Sequence, residues 1–410
     1  MKKQMKVLYV VGTCLTKNTS ANMSHNAYIQ GLLENNCDVD IVMALNSWGQ
    51  SDSALPRWEN ARYYEYKSET VFDKFRKYNA QKLSNPSISG RLNSDLNKSI
   101  TLDIKKKVRE SLKNLYYTIL PPDSVYPLEK VWLGQASKFR SKKHYDLVIS
   151  NSSPAASHKL VVILSDRKHI SYSRWIQIWE DPWYYDLYGG HTERIKSEEH
   201  YLLQRASEIY YVSPLTLEYQ KKYYDDCASK MKCIPLPFLD FSMKDKDISA
   251  SEISFGYFGD YYSKTRNLKP FYNALCETKI KGYIFGDSDL KLNSTNKIKV
   301  SGRVTLDELE VIQRQTGVLV HLCNLRGGQI PGKIYHYSAT DKPILFILDG
   351  TDEEKKIIRG FFEKYHRYVF CNNDERSIKS AINEMSNNMG SCFGHSVEEF
   401  RPKVVVRGIL

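Results

Sequence analysis

The stretch Val7-Leu8-Tyr9-Val10-Val11-Gly12-Thr13 decides the fold of this chain. Apolar residues in an unbroken row, stopped by a glycine, read as a strand buried on both faces. After a loop, Met23, Ala27, Leu32 and Leu33 recur at helical spacings within 22–35, and Val39-Asp40-Ile41-Val42-Met43-Ala44 then reads as a second strand. Strand, glycine-containing loop, helix and strand make the βαβ unit of a doubly wound parallel sheet.

The rhythm returns at 147–150, 158–167, 175–179 and 209–212, which completes a first α/β domain near residue 240. Ile234-Pro235-Leu236-Pro237 and the polar stretch behind it, 240–251, read as an interdomain linker. A second alternating series follows. Its strands are expected at 254–258, 282–285, 297–300, 317–322, 343–348 and 368–371, and its helices at 268–278, 306–315, 333–340, 353–365 and 374–387. The expectation is α/β: two Rossmann-like doubly wound domains, 1–240 and 241–389, with a final segment at 390–410.

A chain of 410 residues suits two or three domains, and 41% apolar with 26% charged residues excludes disorder or fibre as the main state. Lys plus Arg number 59 against 47 Asp plus Glu, a net charge of +12 that favours an anionic partner. The excess is uneven. Residues 57–113 hold 14 basic against 7 acidic side chains, interleaved with Trp58, Tyr63, Tyr64, Tyr66, Phe72, Phe75 and Tyr78. This basic, aromatic-rich insertion, about 52–130, reads either as a solvated face or as a surface for anionic lipid. No nucleic-acid signature accompanies the charge, so nucleic acid is not expected as a partner.

The 8 cysteines form no CxxC pair, which argues against a zinc framework or a disulfide scaffold and for a reducing, cytoplasmic setting. The apolar run at 7–11 is shorter than the roughly 7 to 15 residues of a signal-peptide core, and other apolar runs are strand-sized. The expected location is cytoplasmic, peripheral on the inner face of the membrane if the basic insertion binds lipid.

Ligands of open α/β sheets bind beyond the carboxyl ends of strands, so the loops after strands hold the candidate chemistry. Gly12-Thr13 opens one such loop. Gly259-Asp260 precedes Lys264 and Arg266, Gly286-Asp287 follows the strand at 282–285, and Arg326-Gly327-Gly328-Gln329-Ile330-Pro331-Gly332-Lys333 leads into a helix. Pro331 suits a first helical turn, and amides there, with Lys333, suit phosphate. Gly327 and Gly332-Lys333 also have P-loop spacing, but Ile334 stands where that motif needs Ser or Thr for magnesium.

Asp287-Ser288-Asp289 has the form of a metal-binding acidic pair and reads better as a surface turn; no metal or cofactor is expected. His25, on the first helix behind the Gly12 loop, reads either as a general base or as a packed helical histidine, and His158 and His321 share that ambiguity.

Taken in order, several segments resemble GT-B glycosyltransferases, in particular the bacterial ones related to family 4. Asn151-Ser152-Ser153-Pro154-Ala155-Ala156-Ser157-His158 is similar to a serine and proline loop of their N-terminal domain. Trp175-Ile176-Gln177-Ile178-Trp179-Glu180-Asp181-Pro182-Trp183 resembles their strand ending in Asp-Pro-Trp, and Tyr211-Val212-Ser213-Pro214 a later strand before a helix. In the second half, Gly256-Tyr257-Phe258-Gly259 with Arg266-Asn267 resembles the first strand and a phosphate-facing arginine. Ile330 to Ala339, then Lys342-Pro343-Ile344-Leu345, is similar to the nucleotide-sugar helix and the strand after it.

The resemblance implies two domains facing a cleft, with 390–410 returning to the first. It implies transfer of a sugar from a nucleotide-diphosphate donor to a lipid-linked or polysaccharide acceptor in surface glycan synthesis, metal-independent and with retention. Donor contacts would come from Gly12, Thr13, Gly259, Lys264, Arg266, Gln329, Ile330, Gly332, Lys333, Tyr335 and His336, acceptor contacts from Ser153, His158 and Trp183. Asp181, Glu180 and His25 are the catalytic candidates. His336 stands where relatives place a ribose-binding glutamate, and Gly328 where they place its acidic partner eight positions earlier. An imidazole cannot offer two hydroxyls the bidentate acceptor a carboxylate gives. A P-loop NTPase and a non-catalytic GT-B relative are the alternative readings.

Overall fold

In the computed structural model the deciding stretch lies in β1 (Lys6–Val11), followed by α1 (Ser20–Glu34) and β2 (Asp38–Leu45), paired in parallel to β1. The structure describes residues 4–17, 19–45, 52, 55–69, 125–187, 191–239, 253–326, 328–388, 394 and 396–410. Thr19 caps α1 by accepting from the Asn22 amide, which holds the helix start beside the loop after β1.

The first sheet continues with β3 (Ala61–Lys67), β4 (His144–Ser152), β5 (Ser171–Trp179), β6 (Glu208–Tyr211) and β7 (Met231–Cys233). Between them run α2 (Lys130–Ala136), α3 (Ala156–Asp166), α4 (Glu193–Arg205) and α5 (Pro214–Tyr223). The second sheet holds β8 (Ser254–Phe258), β9 (Lys281–Phe285), β10 (Ile298–Ser301), β11 (Val318–Leu322), β12 (Ile344–Leu348) and β13 (Tyr368–Asn372). Its helices are α6 (Lys269–Thr278), α7 (Leu306–Gln315), α8 (Lys333–Tyr337), α9 (Asp352–Glu363) and α10 (Glu375–Asn387), with α11 (Pro402–Arg407) at the end.

Strand order is β3-β2-β1-β4-β5-β6-β7 in one sheet and β10-β9-β8-β11-β12-β13 in the other, every pair parallel. Counted within each domain, both begin 3-2-1-4-5-6, the doubly wound order whose direction reverses at one crevice. That crevice lies between β1 and β4 in the first sheet and between β8 and β11 in the second. The fold is α/β, two Rossmann-like domains.

Each sheet buries both faces. Val7, Tyr9 and Val11 point into one cluster, and Leu8 and Val10 into another, as the two-residue period of a strand requires. The cluster containing Val7 runs on through Leu236 and Phe238 to Phe258, Phe346 and Phe400, so one continuous apolar core joins the two domains. The chain end lies against the first domain. Asn35 Nδ2 donates to the Lys403 carbonyl (2.9 Å), Arg174 Nη2 donates to that of Ile409 (2.7 Å), and Gly31 leaves room for the Pro402 backbone.

The start of the basic insertion differs from expectation. Tyr63, Tyr64 and Tyr66 belong to edge strand β3, whose Arg62 pairs with Asp38 and Asp40. Asp40 is buried and also accepts from Lys143 Nζ (3.1 Å) and Tyr145 Oη (2.7 Å). These cations and aromatics take part in the sheet edge. The rest of the charge-rich stretch, including Phe72, Phe75 and Tyr78, lies outside the described residues.

Candidate functional site

The two crevices face the loops that the strand pattern singled out. In the second domain, Gly259 and Asp260 follow β8, and Gly286 packs so closely on them that a Cβ would sit 1.9 Å from the Gly259 carbonyl oxygen. A side chain there would separate β8 from β9 and displace Asp260. Asp260 accepts from Arg303 Nε (3.0 Å) and Nη2 and from the Asp287 amide (3.0 Å), while Arg266 Nη1 donates to its backbone carbonyl (3.1 Å).

Lys333, at the start of α8, reaches the same place, its Cδ 3.9 Å from the Cβ position of Gly259. Burial pushes the Lys333 ammonium down to about 8; Asp260 opposes that shift, and Arg266 and Arg303 add to it. Burial pushes the Asp260 carboxyl up, but the hydrogen bonds from Arg303 and the Asp287 amide, with the charges of Arg303 and Lys333, together outweigh it and keep Asp260 below its usual value. Arg303 and Lys333 thus face the Asp260 carboxylate at the end of β8 while Arg266 holds its backbone carbonyl. With Asp287 also on Arg303, three cations stand against two carboxylates, an excess of positive charge on which an anion would be stabilised. Arg303 was not foreseen, although Gly302-Arg303 follows β10 just as Gly259-Asp260 follows β8.

The alternative P-loop reading is not favoured. Helix α8 is five residues long, not the eight expected at 333–340, and Asp349, the carboxylate after β12 that a P-loop enzyme would turn to magnesium, accepts from Asn373 Nδ2 (2.7 Å). So short a helix has little dipole, so the side chains carry the positive field. Asp287 is taken by Arg303, and Asp289 by the amide and hydroxyl of Ser263, which makes the Asp-Ser-Asp triplet a structural turn.

Across the cleft, Glu180 and Asp181 follow β5 at the end of the first sheet. Burial, with Asp181 adding, holds the Glu180 carboxyl well above the usual carboxylate range. Asp181 is pushed up to about 6, chiefly by burial; a hydrogen bond from Gln329 opposes the shift, and Asp186 adds to it. Glu199 holds this loop from below. It is buried on α4 and accepts from the amides of Trp183 (3.1 Å) and Tyr184 (2.8 Å), Gln220 Nε2 (3.0 Å) and Tyr224 Oη (3.0 Å). Sequence reading missed Glu199, since a carboxylate on a polar helix looks solvent-facing.

A hydrogen-bonded chain joins the two halves. Arg266 Nε donates to Asn324 Oδ1 (2.9 Å), Asn324 Nδ2 donates to the Gln329 carbonyl (3.1 Å), and Gln329 Nε2 donates to Asp181 Oδ1 (2.5 Å). Gln329 Oε1 also accepts from the Leu187 amide (3.1 Å), and the Gly328 carbonyl accepts from Ser213 Oγ. Gln329, expected against the donor, is the link of this chain that spans the two domains, and its side chain acts as a latch between them.

Other expected residues take different places. Lys264 is exposed, beside Asp289. Tyr335 is fully buried against Phe362 and Phe400 and donates to the Val212 carbonyl (3.2 Å), so its hydroxyl is committed to the core. Ile330 is buried, and the Cβ position of Gly332 lies 3.5 Å from Ser20 Oγ. His336 is half-buried and neutral, pushed down to about 4 by burial and then by Lys333.

The histidines expected to act on an acceptor are enclosed. His25 is lowered to about 3 by burial, with Tyr9 Oη 3.4 Å and Glu180 Oε1 3.7 Å from its Nδ1, too weak and too enclosed to serve as a base. His158 is fully buried, its Nδ1 2.7 Å from Ser150 Oγ and its ring on Trp179, a packed core histidine, as is His321 on Phe346. Ser153 is exposed and Trp183 half-buried. Gly12 approaches Pro154 closely and donates its amide to Ser157 Oγ (2.9 Å); Thr13 Oγ1 donates to Asn22 Oδ1 (2.6 Å), which stiffens the loop after β1.

No family model and no curated protein matches the chain. Solved structures do. Anabaena HepE, in complex with UDP and glucose, superposes with a TM-score of 0.52 at 11% identity over 99% of this chain and 94% of its own. The lipopolysaccharide outer core galactosyltransferase WaaB gives 0.51 at 10% identity over 99% and 98%. The UDP-GlcNAc 2-epimerase of Methanocaldococcus jannaschii gives 0.50 at 12% over 99% of both chains. At such identities the likeness is one of fold, and the chain has the GT-B fold: two Rossmann-like domains with their crevices turned to a common cleft.

Proposed function

We propose that this protein is a glycosyltransferase that moves a sugar from a nucleotide-diphosphate donor to a lipid-linked or glycan acceptor. The observation that carries the reading is the convergence of Lys333, Arg266 and Arg303 on Asp260 at the end of β8, opposite Glu180 and Asp181. Sugar transfer releases a nucleoside diphosphate, and a preformed cationic pocket stabilises the charge that develops on its β-phosphate. Gly259 lets the diphosphate approach β8, and Gly12 with Thr13 faces it from the first domain. His336 gives the ribose one hydrogen bond where relatives are expected to give two.

In this reading Asp181 receives the acceptor hydroxyl. With retention of configuration it orients that hydroxyl, beside Glu180, whose carboxyl burial holds well above the usual carboxylate range. With the nearby carboxylates engaged by Arg303 and Ser263, the positive field is supplied by side chains and not by a metal. The fold shared with HepE, described with UDP and glucose, and with WaaB supports a nucleotide-sugar donor.

The epimerase of the same fold suggests a second chemistry, since a buried carboxyl near pH 6 also suits proton transfer on a sugar. Incubation of UDP-, GDP- and dTDP-sugars with and without a mixture of lipid-linked glycans separates the two. Transfer predicts nucleotide release that depends on acceptor, and Lys333→Ala and Arg266→Ala each lower it about tenfold or more. Altered sugar without acceptor would point to an epimerase; near-wild-type turnover in both variants would refute the phosphate assignment. Among the described residues no helix is long and apolar enough to cross a membrane, so a lipid-linked acceptor would be met from the membrane surface.

A further inference from the structure

Beside the latch lies a second cavity, of about 320 Å³, between α5 of the first domain and the start of α9 of the second. Pro182, next to Asp181, contributes to its wall, with Tyr185, Tyr219, Tyr223, Gln220 and Glu354. Tyr185 and Tyr223 are stacked, their ring centroids 3.5 Å apart and 14° from coplanar, and Tyr223 is 40% exposed. Tyr219 closes the cavity toward the latch, since its ring lies 3.2 Å from the Cβ position of Gly328, the residue before Gln329.

Two of the polar groups on its wall, Gln220 and Glu354, present acceptors. Gln220 is 1% exposed, its Nε2 donates to Glu199 (3.0 Å), and its Oε1 is buried with no hydrogen-bond partner. Glu354 accepts from Tyr219 Oη (3.1 Å) through Oε1 and from the Thr351 amide (2.8 Å) through Oε2. No lysine or arginine is among the lining residues, which distinguishes this cavity from the cationic pocket at Asp260. An orphaned buried acceptor marks a site for a donor from outside, and tyrosine faces suit the C–H face of a ring.

We infer that this cavity is a subsite for a neutral pyranose, which it holds by stacking on the face of Tyr223 that Tyr185 does not cover and by a hydroxyl donated to Gln220 Oε1. Because Pro182 on its wall follows Asp181 in the chain, the bound ring belongs to the acceptor glycan. That last step rests on the proposed transferase reading; the binding itself does not.

The test is saturation-transfer NMR on the full chain, without nucleotide, with the methyl pyranosides of glucose, galactose, mannose and N-acetylglucosamine. The expected result is transfer to the ring protons of at least one of them, weakened about tenfold in affinity by Tyr223→Ala, retained by Tyr223→Phe and unaffected by Lys333→Ala. Absence of transfer to all four, or equal transfer in wild type and Tyr223→Ala, overturns the subsite. Loss in Lys333→Ala with retention in Tyr223→Ala would place the sugar in the cationic cleft and likewise overturn it. A parallel melt with UDP-, GDP- and dTDP-sugars reports the donor site alone, so failure of either reading is seen separately.

Discussion

Lys333 is a cation held where water cannot fully solvate it. Its folded-state value is about 8 against an ordinary 10.5, so between those pH values the unfolded chain keeps a proton that the folded chain has lost. Stability therefore rises with pH across that window, and below pH 8 the charge is a standing penalty on the order of 3 kcal/mol. Lys333→Met is expected to raise the melting temperature by several degrees at pH 7, with the gain shrinking toward pH 10, and to abolish nucleotide-sugar binding. A melt series across pH checks the first half and calorimetry the second.

Asp181 supplies the other limb, ionising near pH 6. Transfer rate is expected to rise through pH 6 and fall through pH 8, a bell whose acid limb is lost in Asp181→Asn and whose alkaline limb moves upward in Lys333→Arg. An unchanged alkaline limb in Lys333→Arg would remove Lys333 from the rate profile.

At the scale of elements, the outcome depends on how strongly each segment signals its own state. β1, β8 and β12 are continuous apolar runs bounded by Gly or Pro, and their positions were legible to within a residue. β3 was not, because Ala61-Arg62-Tyr63-Tyr64-Glu65-Tyr66-Lys67 mixes charge with aromatics and lies in a basic stretch. Its aromatic content was a strand signal that the charge obscured, and Asp40, the partner of Arg62, is remote in sequence. α8 was expected too long because its apolar spacing continues past Tyr337, whereas the chain turns at Ser338.

The contact of α1 with α11 carries its own prediction. A Cβ at Gly31 would lie 2.2 Å from the Pro402 carbonyl oxygen, a backbone atom that cannot rotate away. Gly31→Ala is expected to cost about 1 to 3 kcal/mol and to expose the chain end to protease, read by thermal melt and limited proteolysis. An unchanged melt would show that α11 is not seated on α1.

For the whole molecule, the fold was legible and the site was legible in part, for the same reason. Strand periodicity is local, and it points to the loops after strands, which is how Gly259, Arg266 and Lys333 were found. What was missed depends on contacts between distant segments: Arg303 on Asp260, Glu199 under the Trp183 loop, Gln329 reaching Asp181. His25, His158 and Tyr335 had the right position in the chain but point inward, which spacing alone does not reveal.

Gln329 also couples the halves. Gln329→Ala removes a side chain that holds Asp181 and the Leu187 amide, so transfer is expected to fall about tenfold while donor affinity stays near wild type. Steady-state kinetics with a donor titration tests this, and an equal loss of affinity would return Gln329 to the donor site.

The central claim is a diphosphate pocket at Asp260, Arg266, Arg303 and Lys333. Its most direct test is a thermal-shift titration of the protein and of Lys333→Ala with UDP-, GDP-, dTDP- and CMP-sugars. Binding at about 100 times the dissociation constant adds roughly 2.7 kcal/mol, a shift of several degrees. That shift is expected with at least one diphosphate donor and none with CMP-sugars, which carry a single phosphate, and it is expected to be lost in Lys333→Ala. No shift with any diphosphate donor, or an equal shift in the variant, would contradict the claim.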